Sequence, residues 1–160
     1  MEICEALPTD LDEIYFIEKT CFPPLEAATR ESLNSRINTF KNSFYVGKIN
    51  GKTIGFINGA VTDRTTICDE MFDDTTMHIK DGKYQSIFGL DVLPEFQHRG
   101  LAQQLMRHFI KNAKENGRLG LILTCKDKLI GFYEQFGYKS TGVSKSTHGN
   151  VVWYDMILQF

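Results

Sequence analysis

The stretch Leu90-Asp91-Val92-Leu93-Pro94-Glu95-Phe96-Gln97-His98-Arg99-Gly100-Leu101-Ala102-Gln103-Gln104-Leu105-Met106 decides how the rest of the chain is read. It starts as an apolar strand, crosses a short polar loop holding one glycine, and turns at once into a helix. A connection of this kind aims several backbone N–H groups at one place, which is also the positive end of the helix dipole. A phosphate or pyrophosphate is the matching ligand. Within the loop, Gln97-His98-Arg99-Gly100-Leu101-Ala102 has the form Gln/Arg-x-x-Gly-x-Gly/Ala. Gly100 lets the backbone approach a ligand closely, and the small Ala102 leaves room beside it. Arg99 and His98 add side-chain donors suited to phosphate oxygens. The pattern lacks the three glycines of the dinucleotide fingerprint and the Gly-Lys-Ser/Thr of the nucleotide P-loop. Taken alone, it serves equally well as an ordinary strand–loop–helix connection.

Periodicity organises the flanks. Leu101, Ala102, Leu105, Met106, Phe109, Ile110 and Ala113 form one apolar helical stripe, and Asn116-Gly117 ends it. Upstream, Pro8-Thr9-Asp10 opens a first helix with Thr9 as cap and Leu11, Ile14, Tyr15, Ile17 and Glu18 following. Pro23-Pro24 breaks that helix into a loop over 21–28, and Thr29 caps a second, short helix carrying Leu33 and Ile37. Residues 43–49 and 52–60 read as strands joined by Asn50-Gly51, a two-residue hairpin signal. The segment 62–82 is polar, and 84–93 reads as one buried strand. Beyond the 101–115 helix come a strand over 119–125, a helix over 127–136, and closing strands near 138–144 and 150–158. Hairpins mixed with strand–helix–strand units predict an α/β (α+β) sandwich around a central sheet.

Bulk properties set bounds. A chain of 160 residues is read as one domain, 1–160, able to bury about two-thirds of its unfolded surface. With 24% charged residues and a formal net charge of −2, nothing implies a nucleic acid or other polyanion as partner. No apolar run approaches the ~18 residues of a membrane span, and no signal pattern opens the chain. Cys4, Cys21, Cys68 and Cys125 are scattered without paired spacing, which points to a reduced, cytoplasmic protein without structural zinc. Oligomeric state stays open between monomer and homodimer.

The 90–106 segment resembles the acetyl-CoA-binding motif of the GNAT superfamily of N-acetyltransferases. A second block, residues 121–138, resembles the later strand–helix–strand part of that fold, and Phe132-Tyr133-Glu134-Gln135-Phe136-Gly137-Tyr138 matches its Phe-Tyr-Glu-Lys-x-Gly-Phe pattern. Cys21-Phe22-Pro23-Pro24-Leu25-Glu26-Ala27-Ala28-Thr29 is similar to the arylalkylamine (serotonin-type) branch and its microbial relatives. The resemblance spans most of residues 16–156. It implies a mixed central sheet flanked by helices, with splayed strands in the middle, and acetyl-CoA as cofactor. It also implies an acyltransferase that moves an acetyl group directly to a primary amine.

Such a transfer needs a neutral amine, a stabilised oxyanion and a protonated leaving thiolate. The resemblance assigns the acid to Tyr133, whose phenol of pKa near ~10 stays protonated at neutral pH. Without the resemblance, Tyr133 reads more simply as a core aromatic beside Phe132 and Phe136. The family pairs the pantetheine arm with the strand at Leu90, Asp91 and Val92, where an N–H near Val92 would meet the oxyanion. Gln97, His98, Arg99, Gly100, Leu101, Ala102 and Gln103 would hold the pyrophosphate, with Tyr133 beside the sulfur. Asp91 either faces the acceptor amine or solvates one side of the sheet, because alternation alone does not set the register.

The general base departs from the resemblance. Animal serotonin enzymes carry a His-x-His pair in this strand, and here Ser86 and Phe88 occupy those positions. Ser86 stays a catalytic candidate by position, although a serine is no base of ordinary strength. A water chain, Asp91, Glu26 or His148 are the substitutes, or the amine loses its proton without a dedicated base. His148, in a loop between the closing strands, has the tunable pKa that proton transfer suits, and reads otherwise as surface decoration. Acceptor contacts fall on Phe22, Pro23, Leu25, Glu26 and Phe88, with Met71, Phe72 and Trp153 as further walls. The acidic excess of 62–82 either draws in a cationic amine or is a solvated loop. Three function classes follow: a small-amine N-acetyltransferase, preferred here; a non-catalytic acyl-CoA-binding sensor; and a protein N-terminal or lysine acetyltransferase.

Overall fold

Asn50 and Gly51 both take positive φ, 51° and 78°, the backbone that a two-residue hairpin demands. They join β2 (Phe44–Ile49) to β3 (Lys52–Asn58) in the computed structural model, which describes residues 1–160. A short strand that the sequence reading did not assign, β1 (Glu2–Glu5), adds to the free side of β2. Its four residues, Glu2-Ile3-Cys4-Glu5, are at most half-buried and hold no apolar run, so periodicity had little to detect.

The strand expected over 84–93 is two strands. Following β4 (Val61–Thr62), the chain forms β5 (Tyr84–Ile87) and then β6 (Gly89–Val92), with Phe88 between them. On one flank the pairing runs on across the break: Ser86 N donates to Ala60 O and Phe88 N to Asn58 O, both at 2.8 Å. On the other flank it stops. There β5 lies parallel to β7 (Gly120–Cys125), through Ile87 opposite Leu123, and β6 has no strand beside it. The expected central sheet is thus two sheets, ordered β1-β2-β3-β6 and β4-β5-β7-β9-β8, with β8 spanning Lys139–Val143 and β9 Tyr154–Gln159. Splayed strands and a mixed sheet with flanking helices agree with the fold that the sequence predicts.

Helices cover both faces. α1 (Leu11–Cys21) follows a single 3-10 turn at Pro8–Asp10. Asp10, rather than Thr9, secures this entry: its carboxylate accepts Leu7 N and pairs with Lys48, each at 2.8 Å. α2 (Arg30–Thr39) is capped as expected, Thr29 Oγ1 accepting from Ser32 N at 3.1 Å. A short α3 (Glu70–Asp73) interrupts the polar segment, α4 is Leu101–Glu115, and α5 is Ile130–Glu134. The helix expected over 127–136 is therefore shorter, because its first turn, Asp127–Leu129, winds as 3-10. No helix is long and apolar enough to cross a membrane.

Two apolar clusters fill the space between layers. Leu105, Met106 and Phe109 of α4 pack with Ile54, Ile57 and Leu121. Ile14, Ile17, Leu33 and Ile37 of α1 and α2 pack with Phe44 and Phe56 on the other face. Phe109 is fully buried, so Phe109→Ala should cost about 3–5 kcal/mol of unfolding free energy in a urea titration.

Candidate active site

Gly100 stands immediately ahead of α4 with φ 76°, and no atom lies within 4 Å of where a Cβ would sit. The first amide bonded back to Gly100 O is Gln104 N, at 3.1 Å. This leaves the N–H groups of Leu101, Ala102 and Gln103 at the open end of the helix. They border a cavity of about 350 Å³, whose walls include Val92, Gln97, His98, Phe132 and Tyr133. An open, glycine-fronted helix terminus fits the diphosphate of a CoA-type group.

Individual loop side chains behave differently from one another. Arg99 does not line the cavity; its guanidinium lies 5.3 Å from the ring centre of Phe96, at the exposed rim. Gln97 gives Nε2 to Val92 O at 2.8 Å, tying the loop to the strand end. His98 reaches the wall with its own positive φ of 63°.

Pairing geometry orients the edge of β6. The bond from Leu93 N to Ile54 O, 2.9 Å, makes Gly55 and Val92 a non-hydrogen-bonded pair. The N–H and C=O of Val92 therefore turn away from β3, into the gap between β6 and β7. Alternation then separates the side chains. Leu90 and Val92 face the α4 side, whereas Asp91 is buried on the opposite face against α1. Of the two readings for Asp91, solvation of the sheet is thereby excluded. Asp91 borders neither cavity, so any action on bound groups is indirect.

A second cavity, about 140 Å³, meets the first at Leu129 and Tyr133, which line both. Its apolar walls are Phe22, Phe72, Phe88 and Trp153, and its polar ones include Glu18, Glu26, Arg36, Asp73 and His148. Among the expected acceptor contacts, Phe22, Glu26 and Phe88 line this cavity. Pro23 does not, and Leu25 points to solvent, 70% exposed. Met71 belongs to the core. Ser86 lies outside both cavities, fully buried, its Oγ donating to Ala60 O at 2.6 Å. His148 is part of the wall: its Nε2 lies 2.9 Å from Glu26 O and its ring 4.9 Å from that of Phe72. Glu26 pairs with Lys126 at 2.7 Å. Glu18, Arg36 and Asp73 were missed as site residues. The available signal for Glu18 was a carboxylate one turn past Ile14 on the buried stripe of α1.

Burial dominates the electrostatics. It pushes the Tyr133 phenol up, with the nearby Cys125 and Asp91 acting in the same direction, so the hydroxyl keeps its proton. The Cys125 thiol is pushed up to about 11 by burial and by Asp127. Asp91 is driven well above the usual carboxylate range by burial first, then by the charge of Glu18 and a hydrogen bond with it. The site thus presents a protonated phenol where the two cavities join, facing a walled chamber with several carboxyl groups.

Residues 11–138 match the acetyltransferase (GNAT) family. The chain belongs to that family. Serotonin N-acetyltransferase of Mesocricetus auratus is 24% identical over 107 residues, covering 66% of this chain and 50% of the relative. The chain thus matches about half the length of that curated relative. Among solved structures, the GphF GNAT-like decarboxylase in complex with isobutyryl-CoA superposes with TM-score 0.85 at 17% identity, covering 99% of each chain. Arabidopsis thaliana Naa50, in complex with the bisubstrate analogue CoA-Ac-MVNAL, gives TM-score 0.76 at 14% identity over 99% of this chain and 98% of that one. At such identities the structural likeness shows the GNAT fold alone.

Two consequences are measurable. Gly100→Val places a β-branched side chain at positive φ and fills the cradle; calorimetry should show at least about a tenfold loss of acetyl-CoA affinity. Asp91, with its raised pKa, keeps in the folded state a proton that the unfolded chain releases. That contribution is full below the ordinary aspartate range, ~4, and is lost as pH rises through the raised value. Denaturant midpoints should fall over this window in the wild type and stay flatter in Asp91→Asn.

Proposed function

We propose that this GNAT protein is an acetyl-CoA-dependent N-acetyltransferase that transfers acetyl directly to a small primary amine. The observation that carries the reading is Tyr133, a buried, protonated phenol at the junction of a glycine-fronted cradle and a walled chamber. Bound acetyl-CoA supplies an acetyl group activated as a thioester. Everything else falls to this chain. The N–H groups of Leu101, Ala102 and Gln103 bind the diphosphate at the helix terminus. The free edge of β6 orients the pantetheine arm as an added strand would lie. Val92 N–H, directed into the gap, donates to the oxygen that gains charge. Tyr133 Oη holds the proton destined for the leaving sulfur.

The acceptor chamber favours an arylalkylamine among primary amines. Phe22, Phe72, Phe88 and Trp153 offer flat apolar surfaces to a ring, and they exclude water from the reacting end. Glu18, Glu26 and Asp73 set against Arg36 and Lys126 leave the chamber and its rim with an acidic excess, which attracts a cation.

Thiol release from acetyl-CoA, measured with tryptamine, phenethylamine, spermidine, free amino acids and a lysine peptide, tests this reading. Release with the aromatic amines is the expected result, and release only with the peptide would transfer the assignment to a protein acceptor. In the same assay Tyr133→Phe should lower kcat by about 10²–10⁴-fold while cofactor affinity changes little. Equal turnover would remove Tyr133 from the acid role.

A further inference from the structure

Two carboxyl groups meet in the interior beside the acceptor chamber. Glu18 on α1 is 4% exposed and Asp91 on β6 is 2% exposed. No lysine, arginine or histidine forms an ion pair with either. Glu18 Oε1 accepts from Ala28 N at 3.3 Å, while Glu18 Oε2 and both oxygens of Asp91 receive no N–H or O–H from any other group. Arg36 is close, but its Nη1 donates to Asn58 Oδ1 at 3.2 Å and its Nη2 to Phe72 O at 2.8 Å. Two ionised carboxylates in contact at this depth repel strongly, with little water to screen them. A contact between them therefore requires a shared proton, and Asp91 is the member held in the protonated form by burial and by Glu18.

Only one of the pair reaches the chamber. Glu18 lines it together with Tyr133, whereas Asp91 stands behind Glu18. The other groups facing the pair are the Cys21 thiol on α1, Arg36 on α2 and Tyr133 on α5. Burial, with Glu18, pushes the Cys21 thiol up to about 11, so it is uncharged at neutral pH. Asp73, at the end of α3, faces Arg36. Of the further titratable groups in the wall, Glu26 pairs with Lys126 at 2.7 Å, and His148 has Nε2 engaged with Glu26 O.

We propose that Glu18 is the proton acceptor for the incoming amine, and that Asp91 is a positioning residue sharing one proton with it. This rests on the acetyl-transfer reading. The amine enters as an ammonium ion; one N–H bond breaks and its proton passes to the Glu18 carboxylate. The freed lone pair forms the C–N bond to the acetyl carbon. The C–S bond breaks, sulfur keeps the electron pair, and it takes the proton of Tyr133. A second proton leaves the new amide nitrogen for the Tyr133 oxygen, restoring the phenol. Glu18 then releases its proton to solvent. The acetylated amine, a neutral thiol and one proton are the products.

The test combines a pH–rate profile with infrared spectroscopy of the carboxyl groups. Glu18→Gln should lower kcat/KM by about 10²–10³-fold at neutral pH. That deficit should shrink as pH approaches the pKa of the amine itself, because more of the amine then arrives neutral. A purely structural role would lower the rate by the same factor at every pH, and parallel profiles would overturn the proposal. Asp91→Asn keeps a donor towards Glu18 and should stay within about tenfold of wild type at its optimum. Infrared difference spectra of wild type against Asp91→Asn should show a protonated-carboxyl stretch at neutral pH in the wild type only. Its absence from the wild type would overturn the shared proton, even if Glu18→Gln failed to fold. A wild type that acetylates no amine but shows the band would instead sink the acetyl-transfer reading, so the two failures are distinguishable.

Discussion

Loss of strand pairing at Phe88 is the constraint from which the rest of the site follows. Residues 84–92 keep their antiparallel partners on one flank throughout. On the other flank, parallel pairing with β7 ends at Ile87, and β6 continues with an edge that no strand covers. A sheet with an uncovered interior edge is a liability unless something else fills it, since backbone polar groups buried without partners are costly. In this molecule the gap is lined by Tyr133, Leu129 and the end of β6, and it runs between the two cavities. Under the proposed function, that gap is where an extended thioester arm lies against an amine chamber.

The same break explains how charge is handled. By turning the main-chain groups of Val92 into the gap, it sends the Asp91 side chain to the opposite face, against Glu18 and close to Arg36. A carboxyl there has lost its water without gaining an ion-pair partner, and the protonated form wins. Tyr133 follows the same rule, since burial of a phenol penalises the phenolate. The interior therefore stores protons on an acid beside one cavity and beneath a carboxylate facing the other. Both effects come from burial, and neither needs a histidine pair.

Much of this architecture was legible in the residue order. Asn50-Gly51, the Thr29 cap, the α4 stripe and the glycine-fronted loop are signals spanning a few residues, and local sterics and hydrogen bonding suffice to express them. The departures share a different cause. β1 became a strand only because β2 offered it an edge. The segment 84–93 has one continuous apolar pattern, and nothing in that pattern says that its two halves join different sheets. The shortening of α5 likewise reflects a first turn, Asp127–Leu129, that winds as 3-10 directly after β7.

Sequence by itself determined the glycine-fronted loop, the helix that backs it, the hairpin and the family, because each lies in a contiguous run whose spacing is its own geometry. Only the tertiary structure decided what lines the second cavity. Glu18, Arg36, Phe72, Phe88, Tyr133 and His148 come from six separate parts of the chain. It also decided that Ser86 is spent on a backbone carbonyl and that Leu25 faces solvent. The meeting of Glu18 with Asp91 belongs to the same class. Their separation in sequence carries no distance, and the proton they share exists only because folding removes water from both at once.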